Sequence, residues 1–207
     1  MEIIIYILLG FTSVVGLAFV VERGIALQWR KVVPTEIETA VQSCQTRDEV
    51  TLLRRVCEQK PSPLGRLLIE AADHLDWPRA ENEAAVETGA RREIVRLERG
   101  LVVLEIIVGI APLLGLVGTI AGMMTLFGGI GQAGLGEAGK LAAGIALILR
   151  ATLWGLLIAI PSLITWSYFS KKIEILAVEM ETLCDQFIRR QYRETKEVKS
   201  EKKEAAK

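Results

Sequence analysis

Three stretches of the chain are almost uninterruptedly apolar. Ile3–Val21 carries no charge, Leu101–Phe127 carries only Glu105, and Leu141–Phe169 carries only Arg150. About 20 apolar residues in a helix cross a bilayer's hydrocarbon core. The pattern therefore predicts three membrane-spanning helices. For the first stretch the alternative is a secretory signal peptide. Only Met1 and Glu2 precede it, with no basic residue, and Glu22-Arg23 follows it in place of a small-residue cleavage site, which favours a span.

Between and after these stretches the periodicity is helical and polar. In "VVPTEIETAVQ", Pro34 and then Thr35 with Glu38 predict a capped helix start, and Thr46 with Glu49 predicts a second. The breakers "KPSP" (Lys60–Pro63) and "DWPR" (Asp76–Arg79) divide the segment further, into three or four helices with no strand pattern. From Ala80 no proline intervenes until Pro112, which predicts one long helix rising into the second span, and its Arg/Glu pairs (Arg92, Glu93, Arg96, Glu98) read as a solvated helix face. Ile173, Leu176, Met180, Leu183 and Phe187 recur every three or four residues, which carries the third span onward as an amphipathic helix. The final "RETKEVKSEKKEAAK" reads as a solvated, fraying tail. The expected fold is all-α, an integral membrane protein with three transmembrane helices, the second and third extended into the cytoplasm. Its segments are 1–22 (first span), 23–100 (cytoplasmic helices), 101–170 (second and third spans) and 171–207 (cytoplasmic helix and tail).

Charge sets the expected orientation. The 207 residues are 51% hydrophobic with zero formal net charge, which gives no electrostatic pointer to nucleic acid. Lys and Arg number thirteen in 23–100 and ten in 171–207, against Lys140 alone in "GGIGQAGLGEAGK" (128–140). The positive-inside rule places the two basic segments in the cytoplasm, with the amino terminus and the 128–140 connection outside. Cys44, Cys57 and Cys184 then face a reducing compartment as buried small hydrophobes. Their spacing fits no metal site, the only histidine is His74, and no catalytic constellation or cofactor motif appears, so no enzyme is expected.

The spans carry polar residues that need explaining. Gly115, Thr119 and Gly122 share one face of the second span with Pro112. Thr152, Gly155, Ala159 and Ser162 share one face of the third, which ends its signature at Pro161. Small residues at this spacing predict close helix packing. Thr119 and Thr152 also stand at matching depth, ~12–16 Å from the predicted outer helix ends, where hydroxyls often mark ion pathways. Arg150 lies ~14 Å from Leu141, farther than an arginine comfortably snorkels. It belongs near the outer headgroups if the helix begins deeper. Otherwise it needs a protein-lined pore or interface, with a counter-charge from another chain, since Glu105 lies ~21 Å below Thr119.

Two stretches carry a family resemblance. "APLLGLVGTIAGMMTLF" (Ala111–Phe127) and "GIALILRATLWGLLIAIP" (Gly144–Pro161) resemble the paired signatures of the MotA/TolQ/ExbB proton-channel family, and "VVERGIAL" resembles its exit from the first span. Three spans rather than four point to the ExbB/TolQ-like branch. The resemblance implies a homopentamer in the bacterial inner membrane, with a periplasmic amino terminus and a cytoplasmic carboxy terminus. It further implies an ExbD/TolR-like single-span subunit with a membrane aspartate, and a TonB- or TolA-like protein energised by proton flow. Thr119 and Thr152 match the family's pore threonines. Two positions depart from the pattern: Leu147 stands where many members keep a glutamate, and Arg150 follows one turn later. These departures hold open a second reading, a scaffold of the same fold that conducts little.

Overall fold

The computed structural model describes residues 2–133 and 138–205. All regular structure among them is helical: α1 (Glu2–Ala26), α2 (Trp29–Val32), α3 (Thr35–Ser43), α4 (Val50–Gln59), α5 (Pro63–Asp73), α6 (Arg79–Glu98), α7 (Leu101–Ala133) and α8 (Ala138–Ala205). Three of these are long and apolar enough to cross a membrane, over Ile3–Ala26, Leu101–Gly128 and the apolar part of Ala142–Glu194. The chain divides into two compact units. One, the apolar unit, comprises residues 1–25 and 100–170; the other, the polar unit, comprises 26–99 and 171–207.

The polar unit has a conventional hydrophobic core. Val33, Ile37, Val41, Leu53, Leu64, Leu68 and Phe187 are among its fully or nearly fully buried members. The i, i+3/i+4 apolar series of α8 supplies Leu176, Met180, Leu183 and Phe187 to it. Cys44, Cys57 and Cys184 are buried in the same core. Burial pushes the thiols of Cys44 and Cys57 up to about 11 and that of Cys184 up to about 12, so all three stay protonated at neutral pH.

Local signals held unevenly. The Thr46–Glu49 capping box forms, with the Glu49 carboxylate accepting from the backbone N–H groups of Thr46 (3.0 Å) and Gln45 (2.7 Å). The box expected at Thr35 does not form. Pro34 takes the capping position and Thr35 is already helical, its hydroxyl exposed to solvent. Ser62 caps α5 instead, accepting from the Gly65 N–H at 3.0 Å, with Pro63 in the first helical position, where its missing N–H costs nothing.

Three length expectations are corrected. The helix predicted to run unbroken from Ala80 into the second span lapses at Arg99–Gly100, although Arg99 keeps helical dihedrals (φ −49°, ψ −35°). Gly100 is buried beneath the Arg23 guanidinium, which a Cβ there would strike; glycine is also the weakest helix former after proline. The 128–140 connection is mostly helix, since α7 continues to Ala133 and α8 begins at Ala138. No proline breaks this stretch, and the remaining residues 134–137 lie outside the described residues. The tail expected to fray is helical to Ala205.

Candidate functional site

The apolar unit is assembled on glycine. A Cβ on Gly155 would lie 2.5 Å from the Ala111 carbonyl oxygen, and one on Gly115 would lie 2.9 Å from both the Ala151 carbonyl oxygen and the Thr152 Cα. A Cβ on Gly122 would meet Ile148 at 2.8 Å. Backbone thus touches backbone where α7 crosses α8, as small residues permit. Gly118, not singled out in the sequence, belongs to the same seam. It is buried where Ala151 of α8 and Ile5 of α1 converge, and its place in "GLVGT", one residue before Thr119, was the available signal.

This close approach brings the two threonines together. The Thr119 and Thr152 hydroxyl oxygens are 2.7 Å apart and half-buried. Thr119 Oγ1 is 3.0 Å from the carbonyl oxygens of both Gly115 and Leu116. Thr152 Oγ1 is 3.2 Å from that same Gly115 oxygen. Two proton arrangements satisfy the set: Thr152 donates to Thr119, which donates to its own helix, or Thr119 donates to Thr152, which donates to Gly115. Either way both hydroxyl protons are used within the chain, and oxygen lone pairs remain for an outside donor.

Depth is matched as well. Thr119 is fourteen residues from the end of α7 and Thr152 fourteen from the start of α8 (133 − 119 and 152 − 138). That is ~21 Å of helix, more than the shorter helices expected from sequence would give, because both helices continue into the 128–140 stretch.

The other predicted residues are scattered. Arg150 is exposed on α8, two residues and 200° around the helix from Thr152. No hydrogen bond or ion pair reaches it among the described residues. Leu147 is exposed on the same helix. Pro112 is half-buried inside α7, and Pro161, inside α8, is exposed. Ala159 and Ser162 are buried, as their small-residue face predicts, and the Ser162 hydroxyl donates to the Ile158 carbonyl at 2.8 Å.

Sequence reasoning missed one polar constellation. The pairs around Glu93 read as a solvated helix face, yet Glu93 is only 4% exposed. Its carboxylate accepts from Arg66 through both oxygens, Nε lying 3.0 Å away, and from Arg96 at 2.7 Å. Burial pushes its pKa up, but the Arg66 hydrogen bonds and the charges of Arg66 and Arg96 outweigh it and hold the carboxyl below its usual range. Arg66 comes from α5, so α6 periodicity alone gave no signal of it.

The sequence model of the MotA/TolQ/ExbB proton channel family matches residues 59–182, more than half of the chain. The chain belongs to that family. A putative biopolymer transport protein, ExbB-like 1, of Synechocystis sp. is 32% identical over 164 residues, 74% of this chain and 62% of its own length. The biopolymer transport protein ExbB of Helicobacter pylori is 37% identical over 81 residues, 39% of this chain and 56% of its own length. The Tol-Pal system protein TolQ of Pseudomonas aeruginosa is 35% identical over 103 residues, 50% of this chain and 45% of its own length. The chain spans roughly three fifths or less of the length of these curated relatives. It is thus a multi-pass membrane subunit of ExbB/TolQ type, and both threonines fall within the segment that the family model matches.

Proposed function

We propose that this chain is the pore-forming subunit of a proton-motive-force-driven motor in a bacterial inner membrane, energising a TonB- or TolA-like protein. The proposed arrangement has residues 23–100 and 171–207 in the cytoplasm, the amino terminus in the periplasm, and five copies around an ExbD/TolR-like helix that carries an aspartate. The observation that carries the reading is the Thr119–Thr152 hydroxyl pair at 2.7 Å. With both its protons committed to the chain, the pair offers lone pairs to a protonated aspartic acid. The ionised aspartate finds a donor there only when a hydroxyl leaves its carbonyl. Such a site distinguishes the two protonation states of a carrier, as a proton-driven cycle requires. Each proton crossing the membrane releases ~2.3 kcal/mol per 100 mV, so a few protons suffice to drive a conformational step.

A second reading, a weakly conducting scaffold with the same partners, is favoured by Leu147 and by Arg150, which no ion pair reaches among the described residues. A cation beside the partner's aspartate would favour its ionised form and hinder reprotonation. Proton flux into vesicles carrying the co-purified complex separates the two. The motor predicts measurable flux in the wild type and a drop of about tenfold or more in the Thr119→Val, Thr152→Val double variant. Equal flux in both would take the threonines off the path, and no flux in the wild type would leave the scaffold.

A further inference from the structure

We infer that Glu105 is a proton acceptor on the same pathway, near the Leu101 end of α7. The inference rests on the pore reading above and extends it to a residue that reading does not use. Glu105 lies inside α7, five residues past Gly100. Gly100 is the level at which the Arg23 guanidinium lies against the helix. Glu105 is exposed on the single chain, and no donor or cation among the described residues reaches it. An acidic side chain facing lipid is disfavoured, most at the centre of a span and less toward its ends, where Glu105 stands. Its exposed position is favoured where the assembled protein keeps water.

Its register identifies which water. Glu105, Pro112 and Thr119 are separated by seven residues each, a drift of only ~20° per step, so they line one face of α7. That face carries a ladder of acceptors. The Gly115 carbonyl already accepts from the threonines. Pro112 has no N–H, so the Val108 carbonyl, one turn nearer Glu105, lacks its usual intrahelical donor. A freed carbonyl within a membrane needs a neighbouring group or water. Glu105, the Val108 carbonyl, the Gly115 carbonyl and Thr119 thus form a polar line ~21 Å long on an otherwise apolar stretch of helix.

Arg150 does not neutralise Glu105. In a ring whose axis runs along the membrane normal, every copy keeps a residue at one depth. Arg150 lies about two residues beyond the threonine level and Glu105 fourteen residues before it, a separation of ~24 Å along the normal. The carboxylate is left to hydrate, accept protons arriving from the threonine level and release them to the cytoplasm.

The test is proton flux through the chain reconstituted with its co-purified single-span subunit, with the native mass of each preparation measured in parallel. Glu105→Gln is expected to lower flux about tenfold at unchanged mass, and Glu105→Asp to keep it within about threefold, since a shorter carboxylate still exchanges protons through water. Wild-type flux in Glu105→Gln, with flux lost in Thr119→Val, Thr152→Val, would overturn the inference and leave the threonine reading standing. Flux lost in Glu105→Gln but intact in the threonine double variant would instead sink the threonine reading and keep Glu105 on the path. A changed mass in Glu105→Gln would make the residue an assembly contact and overturn its role as acceptor. No flux from the wild-type complex would overturn both.

Discussion

Glu93 shows how much a single buried carboxylate depends on its partners. Two arginines, from α5 and α6, saturate it, and the net result is a pKa below the ordinary carboxylate value. A carboxyl depressed in the folded state stabilises the fold above its unfolded pKa of about 4.3 and loses that contribution as pH falls through the lower folded value. Glu93→Gln should therefore lower stability at neutral pH by about 1–3 kcal/mol, Arg66 being partly solvated, and should flatten the acid limb of a stability-against-pH curve. Thermal unfolding of the detergent-solubilised chain from neutral pH down to below about pH 4 checks this; an acid limb as steep as wild type would assign the limb to other carboxylates. The residue was misread from sequence for a physical reason. A charged position one turn from other charges looks solvated along its own helix, and only packing against α5 buries it.

At the scale of elements, the α7–α8 crossing is held by the absence of side chains. Gly155→Ala would drive a methyl group to 2.5 Å from the Ala111 carbonyl, and Gly115→Ala would set one against the backbone at Ala151 and Thr152. Backbone cannot swing aside as a side chain can, so each change should cost about 1–3 kcal/mol and separate the Thr119 and Thr152 hydroxyls. Gly10→Ala is the control, since nothing lies within 4 Å of its added Cβ; helix propensity predicts a neutral or slightly favourable effect there. Unfolding of the three variants in one detergent ranks them, and equal stabilities would refute the close crossing. This seam was legible in advance because glycine and threonine at i, i+4 and i+7 on one helix demand a partner that comes near. The spans were legible because apolar length is a sum over many residues and tolerates Glu105 or Arg150. Helix ends depend on a few local contacts, and there the reading slipped: Pro34 displaced Thr35 as the cap, Gly100 yielded to the Arg23 guanidinium, and the Gly-rich 128–140 stretch stayed largely helical. Glycine marks a break only when nothing else favours the helix.

For the molecule as a whole, the decisive property is what a single copy leaves uncovered. Phe11, Val14 and Leu17 of α1, Leu113 and Met124 of α7, and Ile164 of α8 are each 60% or more exposed, which a bilayer accommodates without any partner. Arg150 and the half-exposed threonine pair are what a bilayer does not accommodate well. Burying one apolar face against lipid is neutral, whereas a guanidinium left in lipid is not. Under the proposed ring, Arg150 meets an acid or a wet surface supplied by another chain. The native mass of the complex, extracted gently from its own membranes, should then correspond to five copies with a single-span partner. Arg150→Leu should shift that mass downward or shed the partner, while Arg150→Lys, which keeps the charge, should shift it less. A pentamer that retains both mass and flux in Arg150→Leu would place the guanidinium among headgroups. A stable monomer or dimer in the wild type would remove the pore altogether and leave the Thr119–Thr152 bond as packing, worth ~0.6 kcal/mol.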